Sequence, residues 1–277
     1  MNNLRTVLLL AALSGLLIAV GGMLGGSRGV VMFTILAAVM NIGSYWFSAD
    51  LVLRTSGAHE IDRAADPRLF ELIEEVAGRA RMPMPRVYVI ESAQPNAFAT
   101  GRNPEHAAVA VTSGIRTLLT DRELVGVLGH EMAHVKNRDI LTSSIVATIA
   151  SAISSMAWFA MWFGGGSGND RRSGGLLGGL IAWFVAPTAA AMIQFAISRS
   201  REYQADADGA RTVGDPEALA SALAKLQMGV QRVPMNVSRS TAHLFIVNPF
   251  SGRNVAGLFS THPPTQERIA RLRAMRL

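Results

Sequence analysis

The 277-residue chain contains no cysteine, so no disulfide framework holds it, and it fits a reducing compartment. It is also short of charge. Asp, Glu, Lys and Arg make up 17% of its residues, where a soluble domain usually carries about 25%. Aromatics reach only 6% and nowhere alternate with a run of Lys or Arg, which leaves nucleic-acid binding as the weakest reading of the +6 net charge. Attraction to anionic lipid headgroups explains that charge better. There are no internal repeats, and the one low-complexity stretch is glycine-rich 164–179. Apolar sequence takes the place of charge: 49% of residues are hydrophobic and the mean hydropathy is +0.27.

The charges are missing in blocks. Twenty-two residues without charge separate Arg5 from Arg28, and 21 separate Arg28 from Asp50. Thirty separate Asp139 from Asp170, and 26 separate Arg172 from Arg199. Each gap exceeds the roughly 20 residues a helix needs to cross the hydrocarbon core. Val7–Val20 and Val30–Phe47 read as an N-terminal transmembrane hairpin within 1–50. Arg5 before a Leu-rich run also suits a signal peptide, but the apolar run continues and a second span follows at once, so a retained anchor is expected. Ile140–Phe163 and Leu176–Ile197, rich in small residues, read as a second hairpin within 141–198; a buried soluble hairpin is the alternative. Near the span ends, Arg5, Arg54, Arg63, Lys136, Arg138, Arg199 and Arg201 fall on one side, and Arg28, Arg171 and Arg172 on the other. That asymmetry puts both termini and the segments 51–140 and 199–277 in the cytoplasm of a bacterial cytoplasmic (inner) membrane protein.

Those two segments carry ordinary folding signals. Asp66-Pro67 is an N-cap followed by proline, and Leu69, Leu72, Ile73, Val76 and Ala80 recur at helical spacing up to Pro83. Val87–Ile90 and Ala107–Val111 read as strands, with an extended stretch at Asn96–Gly101 between them. Thr120-Asp121-Arg122-Glu123 is a capping box that opens a helix to about Asn137. Arg199–Asp206 has helical character, Asp215-Pro216-Glu217 opens a helix to about Met228, and Thr265–Arg276 forms a basic amphipathic helix. The stretch from Arg232 to Ser260 is ambiguous between loop and short strand. The fold class expected is α+β, mostly helical, with about four transmembrane helices.

The helix after the capping box holds His130-Glu131-Met132-Ala133-His134. Residues four apart share a helix face, so both imidazoles can grip one metal ion while Glu131 serves as general base. A catalytic zinc takes three protein ligands. Asn137 and Ile140 stand where a metzincin would need glycine and a third histidine, so that class is excluded. The third ligand therefore comes from elsewhere, and Glu202 is the candidate: a hairpin across 141–198 would return it to the membrane face where His134 left it. Asp206, one turn on, could accept the free N–H of a ligand histidine. By position alone, Glu202 and Asp206 suit a solvated helix face beside Arg199 and Arg201 equally well. His59, His106 and His243 are isolated and suit surface or core roles.

Gly129–His134 with Asn137 and Asp139, Asn96–Gly101, Glu202–Asp208 and Thr261-His262-Pro263-Pro264 together resemble the M48 family of membrane zinc peptidases, in the family's order and over nearly the whole chain. The resemblance implies a gluzincin-type fold, one zinc ion held by His130, His134 and Glu202, and Glu131 as catalytic base. It also implies a substrate strand pairing along Asn96, Ala97, Phe98 and Ala99. His262 would lie near the active site, contacting the charge that develops on the scissile carbonyl. The expected partners are polypeptide substrates, chiefly membrane proteins, and the lipid bilayer. The expected activity is quality-control proteolysis under stress. Processing of one defined partner, as in CaaX-prenyl endopeptidases, and a non-catalytic membrane scaffold or chaperone remain the alternatives. An intact Glu131 argues against the scaffold, because a purely structural metal site has no use for a base.

Overall fold

The computed structural model describes residues 2–139, 199–232, 246 and 263–277. Helix α1 (Asn2–Thr55) is broken at Gly25 and Gly26, the latter at φ +55°, a conformation only glycine adopts freely. Its halves fold back on each other. Asn41 Nδ2 donates to Ser14 Oγ at 2.8 Å, although 27 residues of straight helix would separate them by about 40 Å. Beyond the break, Val31, Met32, Ile35, Val39 and Ile42 are 60–62% exposed, so among the described residues no protein packs on this face. Gly25–Gly43 is the one helix among the described residues long and apolar enough to cross a membrane. The charge gaps predict four. The segments 140–163 and 176–197, with the 141–198 unit they belong to, lie outside the described residues.

The last turns of α1 lead into a four-stranded sheet: β1 (His59–Glu60), β2 (Arg86–Ile90), β3 (Ala97–Gly101) and β4 (Ala107–Thr112). The spatial order is β1-β2-β4-β3, with β2 and β4 parallel and both outer pairs antiparallel. Strand side chains alternate between faces, and here both faces are covered. Val87, Val89, Val109 and Val111 point into the main core. Tyr88, Phe98, Ala108 and Ala110 pack with Val52 and Leu53 of α1. Burial on both sides explains why β4 reads as a continuous apolar run.

Helix α2 (Pro67–Ala80) begins as its sequence directs, with the Asp66 carboxylate accepting from Leu69 N at 3.1 Å. It stops at Arg81, in the left-handed region, two residues before Pro83. Its predicted apolar positions are all buried. A short helix, α3 (Ser113–Leu118), follows β4 and is capped by Thr112. Helix α4 (Asp121–Lys136) has the reciprocal capping box of Thr120 and Glu123. Three helices complete the domain: α5 (Arg199–Val213), α6 (Pro216–Arg232) and α7 (Thr265–Arg273).

Glu123 does more than cap. Its buried carboxylate also takes Ser221 Oγ at 2.6 Å and Lys225 Nζ at 2.7 Å, pinning α4 to α6. Burial alone would raise its pKa, but the Lys225, Ser221 and Thr120 hydrogen bonds outweigh it and bring the group down to about 2. Leu128, Met132, Leu219, Leu223 and Leu226 fill the space between these helices, each about 1.5–3 kcal/mol of burial. Helices α4 and α5 touch at Gly129 and Gly209. A Cβ at Gly209 would come within 2.7 Å of Gly129 C and His130 N, so only bare backbone permits this approach.

Candidate metal centre

The glycine contact brings the first turn of α5 against the histidines of α4. His130 Nε2 lies 3.8 Å from one carboxylate oxygen of Glu202, and His134 Nε2 lies 3.4 Å from the other. One ligand atom from each of the three residues falls within 4.8 Å of the other two. The imidazoles are edge to face, with centroids 4.7 Å apart.

Each ring is held from behind. His130 Nδ1 sits 2.9 Å from Asp206 Oδ1, and His134 Nδ1 sits 3.2 Å from Asp139 Oδ2. A carboxylate on Nδ1 fixes the tautomer that leaves the Nε2 lone pair free for a metal. Two neutral nitrogens and one carboxylate, converging and back-supported, fit a single divalent cation. Burial pulls His134 down, but Asp139 and Glu202 prevail and raise it to about 10.

Asp206 is itself gripped. Arg268, 1% exposed on α7, meets it with Nε at 2.8 Å and Nη2 at 2.7 Å, a two-pronged buried ion pair. Burial would raise the Asp206 carboxyl, but the Arg268 charge holds it far below the usual carboxylate range. Arg268 Nη1 also donates to Ile246 O at 2.8 Å, and Ile246 N donates to Asn96 Oδ1 at 3.3 Å. One chain of contacts therefore runs from His130 through Asp206, Arg268 and Ile246 to Asn96, the residue just before β3. On the other side, Arg201 Nη1 lies 3.7 Å from Asp139.

Glu131, also buried, points to the sheet. Its Oε2 accepts from Ala99 N at 2.9 Å. Ala99 pairs with Val109 in the β3–β4 register, and its N–H faces away from β4, toward the outer edge of β3. Among the described residues no strand pairs with that edge.

The structure thus brings His130, His134, Glu202, Asp206, Glu131 and the Asn96–Ala99 segment into one region. His59 and His106 stand apart and exposed, while His243 and His262 lie outside the described residues. Sequence reasoning missed the parts played by Asp139 and Arg268. Arg268 left one signal: it shares a helix face with the buried Leu272, where an arginine needs a partner.

Peptidase family M48 matches residues 63–276. The curated protein "Protease HtpX homolog" of Syntrophobacter fumaroxidans is 53% identical over 280 residues, covering 99% of each chain. Its namesake in Burkholderia mallei is 52% identical over 277 residues, covering 99% of this chain and 97% of the other. In fold the chain is similar to the crystal structure of S. mikatae Ste24p, with a TM-score of 0.56 at 19% identity; the likeness covers 98% of this chain and 65% of that one. With the paired histidines and their carboxylate on the matched segment, and half-identical relatives along the full length, the chain belongs to peptidase family M48.

Proposed function

We propose that the chain is a zinc endopeptidase of the bacterial cytoplasmic membrane that cuts cytoplasmic regions of misfolded or damaged membrane proteins. The convergence of His130, His134 and Glu202 beside Glu131, at a strand edge that no strand among the described residues pairs with, carries this reading. His130, His134 and Glu202 are the zinc ligands, and Asp206 and Asp139 orient the imidazoles. The zinc ion, when bound, supplies Lewis-acid activation of water and of the peptide carbonyl. Glu131 takes a proton from the attacking water and returns it to the leaving amine.

The Ala99 amide fixes the Glu131 carboxylate at the β3 edge, where an extended chain would lie. Backbone pairing along Asn96, Ala97, Phe98 and Ala99 reads any extended segment with little regard for its side chains, which suits disposal of damaged proteins. The role of His262 rests on the family pattern alone. Support for the membrane comes from Gly25–Gly43 with its exposed apolar face, and from the charge-free runs between Asp139 and Arg199. The Lys and Arg asymmetry supports a cytoplasmic site and a multi-pass anchor.

The test is cleavage of an unfolded model protein by detergent-purified chain, prepared with chelator and then given zinc, beside Glu131→Gln. Wild type should cut only with zinc, and Glu131→Gln should keep zinc and lose nearly all turnover. Equal cleavage by both would remove Glu131 as base. Cleavage by neither, with zinc bound, would favour a non-catalytic membrane partner.

A further inference from the structure

Helix α1 continues past the end of its apolar span at Gly43 for twelve residues, to Thr55. Tyr45 and Trp46 come first, a pair suited to the headgroup layer. The sheet is bolted to this extension at three levels. Nearest the span, the guanidinium of Arg102, just past β3, lies 4.4 Å from the centroid of the Trp46 ring. Next, Arg86 at the start of β2 reaches Asp50 at 3.3 Å. Farthest out, Phe98 and Tyr88 pack with Val52 and Leu53. Passing along α1 away from the span, β3 is traversed from Arg102 back to Phe98. Strand β3 therefore runs alongside the axis of α1, with its C-terminal end toward the membrane surface.

Asp139 and Arg201 are 3.7 Å apart, and Asp139 holds His134. The sequence between Asp139 and Arg199 contains both long charge-free runs, so the chain enters and leaves that lipid-compatible stretch beside the metal ligands.

We propose, resting on the membrane-peptidase reading above, that the site takes extended segments as they leave the bilayer, and cuts them about five residues past a membrane-spanning helix. The distance comes from the parts. Trp46 lies about 5 Å beyond Gly43 at the helical rise. Ala99, whose amide meets the catalytic carboxylate, lies about 7 Å from the end of β3 at Gly101 at the strand rise, with Arg102 one residue, at most about 3.8 Å, further on. The roughly 15 Å between the span's end and the cutting position is four to five residues of extended chain. An edge aligned with the bilayer normal receives such a chain without a bend, because the emerging segment already points along β3. Remote loops would have to return to the membrane surface to reach it. The substrate class is thus the juxtamembrane segment of a membrane protein whose first residues have lost their fold.

The test uses the full chain in liposomes, with Glu131→Gln as the control for other proteases. One substrate carries several tandem copies of a single short extended peptide after a transmembrane helix; the other is the same tandem peptide without the helix. Identical copies remove sequence preference, so mass spectrometry of the products reads position alone. Cuts confined to the copy next to the helix, with even cutting of the free peptide, is the expected result. Even cutting of both substrates would overturn the proposal and leave the peptidase reading intact. No cutting of either, by zinc-loaded wild type, would overturn both.

Discussion

Arg268→Met should cost this protein more than its place on the last helix suggests. The guanidinium is 1% exposed and makes two hydrogen bonds to Asp206 and one to the Ile246 carbonyl. Methionine fills much of the same space but leaves Asp206 buried with only His130 for company. Breaking a buried pair by removing one partner costs about 3–5 kcal/mol, because the remaining charge keeps its desolvation penalty. Without the Arg268 charge, Asp206 would take up a proton more readily, and a neutral Asp206 supports the His130 imidazole less well as a ligand. Loss of such outer support typically costs about 10–100-fold in metal affinity.

Two assays read the two effects. Thermal unfolding of the metal-free protein in detergent should show a clear drop in midpoint. A zinc titration against a competing chelator should show at least about a tenfold loss of affinity. Arg268→Lys keeps the charge but not the two-pronged geometry, and should fall between. In the Asp206→Asn/Arg268→Met double variant the stability losses should be well short of additive, since the second change removes the charge that the first left stranded. Unchanged midpoint and unchanged zinc affinity in Arg268→Met would refute the reasoning.

Three further outcomes concern the helices. The Glu123 carboxylate, brought from the usual 4.5 to about 2, contributes on the order of 3 kcal/mol that is fully present above pH 4.5 and lost as pH falls through 2. Lys225→Met should therefore move the acid-unfolding midpoint, followed by circular dichroism, to higher pH; an unchanged midpoint would show that Ser221 and Thr120 hold Glu123 unaided. Gly209→Ala should push α5 off α4 and lower zinc affinity at least about tenfold, as read by the same titration, because the new Cβ meets backbone that cannot swing aside. Gly78→Ala on α2, with open space around it, should instead stabilise by up to about 1 kcal/mol.

How much of this was legible in the sequence depended on whether the signal was local. The starts of α2 and α4 are written in Asp66-Pro67 and in Thr120 with Glu123, and the structure uses both caps as read. The β2 and β4 positions followed from apolar runs between Pro and Gly signals, and β3 falls on the stretch read only as extended. By contrast, β1 is two residues long, and α3 starts at Ser113-Gly114, which looks like a turn. The α6 helix runs to Arg232, past the expected end at Met228, because nothing at Gly229 forces it to stop. At the metal centre, His130 and His134 were visible because helical spacing alone places them together. Glu202 needed a guess about how the chain returns. Asp139 and Arg268 were hidden because their meaning lies in partners 5 and 62 residues away that only the fold supplies. The Gly129–Gly209 contact, which sets the distance between the two halves of the site, left no mark in either helix alone.

The central claim is that His130, His134 and Glu202 hold one zinc ion while Glu131 does not. Zinc content per chain, measured by atomic absorption on purified wild type, Glu131→Gln and Glu202→Ala, tests it most directly. The account predicts one zinc in wild type and in Glu131→Gln, and none retained in Glu202→Ala. A full zinc complement in Glu202→Ala would contradict it.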